Sequence, residues 1–110
     1  MGMGILNSKT NSNSDPEDPN SNKVVREFVV GNKLGLHARP AAMFVRIANR
    51  YNSEIWVEKD GEEINGKSIM GLMLLAAGCG SRLKVTAIGP DARDAVGDLQ
   101  ELISRKFDEE

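Results

Sequence analysis

A change in composition near residue 22 limits the folded part of this 110-residue chain to a single small domain. Residues 1–22 contain five Asn, four Ser and two Pro, and their four hydrophobic residues all lie within the first six positions. A segment of this kind buries too little apolar surface to offset the entropy that it loses on ordering. We therefore predict a disordered tail over residues 1–22 and one domain over residues 23–110.

The charge balance and the rare residue types exclude several classes of function. The chain has 14 Lys and Arg against 16 Asp and Glu, whereas a nucleic-acid-binding domain normally carries a basic excess. Met1–Leu6 is too short for the apolar part of a signal peptide, and no apolar run is long enough to span a membrane. We therefore expect a cytoplasmic protein that binds no nucleic acid and inserts into no membrane. The lone Cys79 excludes an internal disulfide, and the lone His37 excludes a metal site built on two histidines.

Hydrophobic periodicity predicts four strands, two of which form a hairpin. Asp60-Gly61 is a strong signal for a two-residue hairpin turn between the second and third strands. The predicted strands are Lys23–Val30, Glu54–Glu58, Glu62–Ile64 and Arg82–Ile88.

Three helices are predicted between and after these strands. The first starts at His37 or Ala38, because Pro40 fits only near a first helical turn. Its apolar stripe is Ala41, Phe44, Val45, Ala48 and Tyr51. The last helix has the stripe Ala92, Ala95, Val96, Leu99, Leu102, Ile103 and Phe107. The order βαββαβα indicates an α+β fold with helices on one face of an antiparallel sheet.

The short second helix and the last helix have recognisable end signals. Ser68 is a good N-cap for a helix from Ile69 to about Ala76, which Gly78 and Gly80 would close. Asp91 and Asp94 are interpreted as a pair that caps the last helix and not as a catalytic dyad.

Two separated motifs resemble those of one known family. The segment from Gly35 to Ala42, Gly-Leu-His-Ala-Arg-Pro-Ala-Ala, is similar to the active-site signature of the HPr family of bacterial phosphocarriers. Ser68 follows His37 by 31 residues and lies in a segment that resembles the regulatory-serine segment of the same family. The resemblance covers residues 23–110. It implies an open-faced sandwich in which three helices cover one face of a four-stranded antiparallel sheet with strand order 1-4-2-3.

The resemblance also implies a function. His37 would accept a phosphoryl group from enzyme I, with phosphoenolpyruvate as the ultimate donor, and pass it to an enzyme IIA domain in sugar uptake and regulation. Such a protein is a monomeric carrier and not an enzyme, and it needs no cofactor. Two alternatives remain open. In the first, the chain would belong to the nitrogen-related regulatory branch of the family. In the second, it would be a regulatory module that is read through phosphorylated Ser68.

The residue types around His37 suit this chemistry. Neutral imidazole is nucleophilic near pH 7, and a helix N-terminus offers unpaired N–H groups to phosphoryl oxygens. The Arg39 guanidinium, two residues further on, can bind those oxygens and stabilise their charge during transfer. The family assigns the attack to the δ nitrogen of the histidine.

The second motif predicts a regulatory site and a docking patch. Ser68 is expected to be phosphorylated by an HPr kinase/phosphorylase and to be read by a transcriptional regulator. Lys67 is expected to contribute to partner binding, and it either pairs with that phosphate or is solvated. Apolar residues on the second helix divide into a core set, Leu72, Leu75 and Ala76, and an exposed patch for partners, Ile69, Met70 and Met73. Arg46, on the exposed side of the first helix, would add a charge for acidic partners.

Overall fold

The structure is a computed structural model, and it describes residues 22–109. The tail predicted over residues 1–22 lies outside the described residues, apart from Asn22. Within the described range, no helix has the length and apolar character needed to cross a membrane.

The helices and strands follow the predicted order. Each strand agrees with its predicted bounds to within one residue. The strands are β1 (Lys23–Val29), β2 (Glu54–Lys59), β3 (Glu62–Asn65) and β4 (Arg82–Ile88). The helices are α1 (Ala38–Ala48), α2 (Ile69–Leu74) and α3 (Ala92–Ser104), followed by a short 3-10 turn over Lys106–Asp108.

The sheet is antiparallel, with strand order β1-β4-β2-β3, which confirms the order that the family resemblance implies. The hairpin turn between β2 and β3 is where Asp60-Gly61 predicts it. Asp60 has φ 52° and Gly61 has φ 85°, and two successive positive φ values are the geometry that a two-residue hairpin turn with the right twist requires.

One face of the sheet and the three helices enclose the core. The predicted stripe of α3 is confirmed, since all seven of its residues, including Phe107 beyond the helix end, are buried. The predicted stripe of α1 is confirmed for its first four residues. The fifth, Tyr51, follows the end of α1, and its hydroxyl donates a hydrogen bond to Asp98 on α3. That bond raises the pKa of Tyr51 to about 12, so the link between the two helices persists through the physiological pH range.

The end of α2 differs from the prediction. The helix stops at Leu74, and Ala76 takes a left-handed conformation with φ 52°, ahead of the two glycines expected to close the helix. This backbone turn exposes Ala76 and buries Ala77, so the prediction that Ala76 belongs to the core is wrong. Leu72 and Leu75 are buried as predicted.

The prediction that the Asp91 side chain caps the last helix is also wrong. Asp91 stands at the N-cap position of α3, but among the described residues its side chain makes no capping hydrogen bond. Its carboxylate accepts hydrogen bonds from the Ser53 hydroxyl and from the backbone N–H groups of Asn52 and Ser53. These three bonds lower the pKa of Asp91. The aspartate therefore ties the start of α3 to the start of β2, because that backbone lies within its reach.

Candidate functional site

His37 lies at the N-terminus of α1, as the sequence predicts. It is the N-cap residue, its carbonyl oxygen accepts the first helical bond from the Ala41 N–H at 3.0 Å, and its backbone is extended. Its side chain makes no capping bond within residues 22–109 and is 37% exposed. The ring therefore does not cap the helix, and it is accessible to a reactant at the surface.

The loop before His37 is fixed by a close backbone approach. Gly35 has φ +71°, and a Cβ atom at this position would lie 2.3 Å from the Ala77 carbonyl oxygen. The same oxygen accepts a hydrogen bond of 2.9 Å from the Leu36 N–H. Only glycine combines this φ with this approach. The segment after α2 therefore fixes the backbone of the loop that leads to His37.

The first turn of α1 brings Arg39 beside His37. The Arg39 side chain is 61% exposed, whereas Pro40, the next residue, is buried and confirms the placement of proline in the first turn. The backbone N–H groups of Ala38 and Arg39 lie in the first turn, where a helix supplies no internal acceptor. Donors of two kinds, backbone and guanidinium, therefore lie in the helical turn that begins at the histidine.

A carboxylate that the sequence analysis did not identify completes the site. Both oxygens of Glu109 lie 3.1 Å from Nε2 of His37. Arg39 Nη1 donates to Oε2 of the same carboxylate at 3.0 Å, and Asn32 Nδ2 donates to Oε1 at 3.0 Å. Glu109 thus joins the two residues that the sequence motif predicts to act together.

The Glu109 carboxylate determines which ring nitrogen of His37 carries the proton. Its pKa lies below the ordinary value because it accepts hydrogen bonds from His37, Asn32 and Arg39. The group is therefore ionised at neutral pH and can only accept hydrogen bonds. A neutral His37 ring that bonds to it must carry its proton on Nε2. This leaves the lone pair of Nδ1 unprotonated.

The chain reaches this position through an unusual turn after α3. Lys106, Phe107 and Asp108 all have positive φ values, of 56°, 55° and 59°. Left-handed backbone is unfavourable for residues with a side chain, and the complete burial of Phe107 holds the turn in place. The one sequence signal for this was that Phe107 extends the apolar stripe of α3, which indicates that the last residues are packed against the domain.

Ser68 and Lys67 lie at the start of α2. Ser68 is the N-cap, as predicted, and its Oγ accepts a hydrogen bond of 2.9 Å from the Gly71 N–H. Lys67 Nζ donates to the backbone carbonyl oxygen of Tyr51 at 2.7 Å and is only partly exposed. Neither interpretation of Lys67 made from the sequence describes this contact, because the lysine ties α2 to the end of α1.

The apolar residues predicted for the docking patch are exposed. Met70 is 73% exposed, and Ile69 and Met73 are 42% and 44% exposed. Leu74, which the sequence analysis did not assign to the patch, is 70% exposed and lies against them. We call these four residues the α2 patch. Arg46 is exposed on α1, as predicted.

Comparison with known proteins identifies the family. Residues 24–105 match the sequence model described as "PTS HPr component phosphorylation site", in which PTS stands for phosphotransferase system. The chain belongs to the HPr family. Members of the HPr family are phosphocarriers of the bacterial phosphotransferase system, and the partners that membership implies are enzyme I and enzyme IIA domains.

The alignments with two curated relatives extend over nearly the whole length of each relative. The phosphocarrier protein HPr of Treponema pallidum is 46% identical over 87 residues, which cover 79% of this chain and 99% of the relative. The HPr-like protein Crh of Halalkalibacterium halodurans is 48% identical over 83 residues, which cover 76% of this chain and 99% of the relative. The chain therefore resembles both a phosphocarrier and a protein of the Crh type.

A solved structure supports the fold. HPr-C-His of Thermoanaerobacter tengcongensis superposes with a TM-score of 0.76 at 48% identity, covering 78% of this chain and 97% of that one. HPr of the same organism has also been solved as a dimer, with a TM-score of 0.63 at 49% identity and coverage of 73% and 92%. The monomeric state expected for our chain therefore stays a prediction.

Proposed function

We propose that His37 accepts a phosphoryl group from enzyme I, which is charged by phosphoenolpyruvate, and passes it to a histidine of an enzyme IIA domain. The observation that carries the proposal is the contact of His37 Nε2 with the ionised Glu109 carboxylate at 3.1 Å. This contact keeps the proton on Nε2 and the lone pair on Nδ1. The partly exposed ring then presents Nδ1 as the nucleophile at the helix N-terminus.

The transfer balances without a cofactor. Nδ1 of His37 attacks phosphorus, a new N–P bond forms, and the N–P bond to the enzyme I histidine breaks with its electron pair left on the donor nitrogen. The proton stays on Nε2, so the ring of His37 gains positive charge. The Glu109 carboxylate offsets this charge through the bond that it already makes. In the transfer to enzyme IIA the roles are exchanged. The histidine of enzyme IIA attacks phosphorus, and the N–P bond to His37 breaks with its electron pair left on Nδ1.

We assign to Arg39 the stabilisation of the phosphoryl oxygens. It donates to Glu109 through Nη1, and a guanidinium has five N–H donors in all. The remaining donors, which have no partner in the part of the chain that the structure describes, can bind a phosphoryl group on Nδ1 while the bond to Glu109 is kept. Arg39 and the N–H groups of the first helical turn together form the anion-binding part of the site.

Arg39→Ala is expected to slow phosphoryl transfer from enzyme I by about ten- to a hundredfold, because one or two charge-assisted hydrogen bonds to the transferring group are lost. The thermal unfolding midpoint should stay close to that of the wild type, because the side chain is 61% exposed. Single-turnover phosphorylation kinetics measure the effect. The control is Arg50→Ala, which removes another exposed arginine after the end of α1. Equal rates for Arg39→Ala and Arg50→Ala would refute the role.

We propose that the α2 patch is the surface on which enzyme I and enzyme IIA dock, with Arg46 contributing charge at its rim. Exposed methionines adapt to differently shaped partners, and an exposed apolar cluster of this kind is typical of interaction sites. The segment that follows α2 also contacts the loop before His37, through the bond between Leu36 and Ala77. A partner seated on the patch is therefore close to the reactive ring. Lys67, which is bonded to Tyr51, contributes less to docking than a free lysine would.

Met70→Glu is expected to weaken the binding of enzyme I by about tenfold or more, because it places a charge where apolar contact is needed. Titration calorimetry with enzyme I measures the change. The matched control is Gln100→Glu, which adds the same charge at an exposed position of α3. Unaltered affinity for both enzyme I and enzyme IIA in Met70→Glu would overturn the docking proposal.

We propose that Ser68 is phosphorylated by an HPr kinase/phosphorylase and that a transcriptional regulator reads the phosphate. The hydroxyl is near the surface, its one hydrogen bond within residues 22–109 is the bond from Gly71, and it lies beside the α2 patch. A phosphate there adds about two negative charges at the edge of the docking surface. It would therefore weaken docking by charge without requiring the domain to refold.

A regulatory function read through Ser68 is the second candidate, and the 45% identity to Crh of Bacillus subtilis, described as a catabolite repression HPr, favours it. The Glu109 contact with His37 favours the carrier, because capping of a helix by serine needs no such arrangement. The nitrogen-related branch uses the same His37 chemistry with other partners. A choice between the branches rests on which enzyme IIA accepts the phosphoryl group.

Incubation with enzyme I and radiolabelled phosphoenolpyruvate, followed by addition of enzyme IIA, tests the proposed function. A phosphoramidate on His37 is lost in acid, whereas phosphoserine survives it. We expect an acid-labile label that moves from the chain to enzyme IIA, and an acid-stable label on Ser68 with the kinase and ATP. A chain that takes up no acid-labile label from enzyme I would contradict the carrier function. Retention of the kinase label in Ser68→Ala would contradict the regulatory site.

A further inference from the structure

The amide side chain of Asn32 is buried in the loop between β1 and α1, where an apolar residue would be expected. Asn32 is 0% exposed, and its Nδ2 donates to the Gly35 carbonyl oxygen at 2.8 Å and to Oε1 of Glu109 at 3.0 Å. Its Oδ1 has no hydrogen-bond partner among residues 22–109. A buried amide that leaves one atom unpaired is unfavourable for folding, so the gain in stability alone does not account for this residue.

The contacts of the carboxylate show what Asn32 adds. Both oxygens of Glu109 lie 3.1 Å from His37 Nε2; in addition, Oε1 accepts a hydrogen bond from Asn32 and Oε2 accepts one from Arg39. Arg39 is 61% exposed and, in the proposed function, also binds the phosphoryl group, while the His37 ring changes its charge during transfer. Asn32 is the only one of these three donors that is fully buried, and it takes no part in the reaction.

We propose that Asn32 is a positioning residue for His37: its amide anchors the Glu109 carboxylate, so that the carboxylate remains on Nε2 while Arg39 binds the incoming phosphoryl group. The inference rests on the proposed function of His37 as the phosphoryl acceptor. Asn32 acts through Glu109 and touches neither the phosphoryl group nor Nδ1.

The local backbone explains why an anchor is needed. Glu109 follows the left-handed turn at Lys106–Asp108, which is unfavourable for its residues and is held from one side by the buried Phe107. Apart from the packing of Phe107, the Glu109 carboxylate is held by its hydrogen bonds from Asn32, His37 and Arg39. Without Asn32, the remaining donors are an exposed arginine and a partly exposed histidine. We then expect the carboxylate to follow Arg39 or to enter solvent, and the His37 ring to populate both tautomers.

Asn32 also couples the carboxylate to the loop that carries His37. The Gly35 N–H donates to the Asn32 carbonyl oxygen at 3.2 Å, and the Asn32 amide donates back to the Gly35 carbonyl oxygen. The two reciprocal bonds close the loop that leads to His37. The bonds to Gly35 fix the Asn32 amide in the loop, and the same amide holds the Glu109 carboxylate in place.

The test uses the full chain labelled with nitrogen-15 at histidine and measures the tautomer of His37 by NMR above its titration range. We expect one tautomer in the wild type, with the proton on Nε2, and a mixture of both in Asn32→Ala. Phosphorylation of Asn32→Ala by enzyme I should be roughly tenfold slower, as expected for the loss of one hydrogen bond to a charged group. The matched control is Asn49→Ala, which removes an exposed amide at the other end of α1 and should change neither quantity. An unchanged tautomer in a folded Asn32→Ala overturns the proposal.

A double-mutant cycle identifies the route. If Asn32 acts through Glu109, then Asn32→Ala combined with Glu109→Ala should be no slower than Glu109→Ala alone. Additive losses would show that Asn32 acts independently and would overturn the proposal. The tautomer measurement needs no enzyme I, so a wild type that enzyme I fails to phosphorylate refutes the proposed function by itself. The tautomer then still decides whether Asn32 positions the ring.

A measurement on the wild type covers the case in which Asn32→Ala does not fold. The side-chain N–H resonances of Asn32 should follow the titration of the Glu109 carboxyl and should remain in their bonded position after phosphorylation. Resonances that ignore the titration of Glu109, or that shift to those of a free amide on phosphorylation, would overturn the proposal.

Discussion

Replacement of His37 by glutamine is expected to abolish acid-labile phosphorylation by enzyme I completely. Glutamine has no nucleophilic ring nitrogen, whereas its amide can still donate to the Glu109 carboxylate. The fold should persist, because the His37 side chain is partly exposed and makes no capping bond among the described residues. Substitutions at such surface positions usually change stability by about 0.5 kcal/mol or less. Phosphorylation by enzyme I and thermal unfolding of the same sample measure both expectations.

The control for His37→Gln is Ser68→Ala. It removes the other candidate phosphorylation site, and it should retain the acid-labile label, although loss of the Gly71 capping bond will lower its stability by about 1 kcal/mol. Acid-labile phosphate in His37→Gln would show that another residue is the acceptor. Loss of the acid-labile label in a folded Ser68→Ala would show that the two sites are not independent.

Replacement of Gly35 by alanine is expected to have the largest effect on the fold around the site. The added Cβ would lie 2.3 Å from the Ala77 carbonyl oxygen, and the backbone φ of +71° is unfavourable for alanine. The strain and the clash together should lower the free energy of unfolding by about 2–5 kcal/mol. The loop must shift to relieve the clash, so the bond between Leu36 and Ala77 should weaken and phosphorylation of His37 should slow. Chemical denaturation and enzyme I kinetics measure the two effects.

Two other glycines separate the causes. Gly61 has φ +85° with none of the described atoms within 4 Å of the added Cβ, so Gly61→Ala isolates the cost of the left-handed backbone, about 1–2 kcal/mol. Gly78 has neither a positive φ nor a described neighbour within 4 Å, and Gly78→Ala should be close to neutral. If Gly35→Ala is no less stable than Gly61→Ala, the close approach to Ala77 does not constrain the loop.

Most of the fold was predictable from local sequence signals because these signals agree with the tertiary structure. The alternation in Arg82–Ile88 and the Asp60-Gly61 turn act over a few residues, and the stripe of α3 repeats often enough to be unambiguous. The strand order is different in kind. Nothing in the local pattern of β1 or β4 indicates that they are neighbours, so the order came from the family resemblance and was confirmed by the structure.

The errors have a common physical cause. Asp91 and Ala76 were assigned from their near neighbours in sequence, and in both cases a contact or turn set by the tertiary structure decides. The contact of Lys67 with Tyr51, which the sequence analysis did not predict, has the same origin. Asp91 bonds to residues 38 and 39 positions away, and Lys67 bonds to a carbonyl oxygen 16 positions away. A short polar side chain takes whichever partner the packed elements bring within reach.

Only the part of the candidate site that lies on α1 was predictable from the sequence. His37 and Arg39 share one helical turn, so their proximity follows from spacing alone. Glu109 lies 72 residues from His37, and Asn32 lies 77 residues from Glu109. Their meeting depends on the left-handed turn at Lys106–Asp108, for which the residue types give no signal, since left-handed conformations favour glycine and asparagine.

The most direct test of the central claim is an NMR measurement on the chain phosphorylated by enzyme I, with nitrogen-15 in its single histidine. We predict one phosphorus signal coupled to Nδ1 of His37, a proton retained on Nε2, and loss of the signal in acid. A phosphorus signal coupled to Nε2, or an acid-stable phosphate with an unmodified His37 ring, would contradict it.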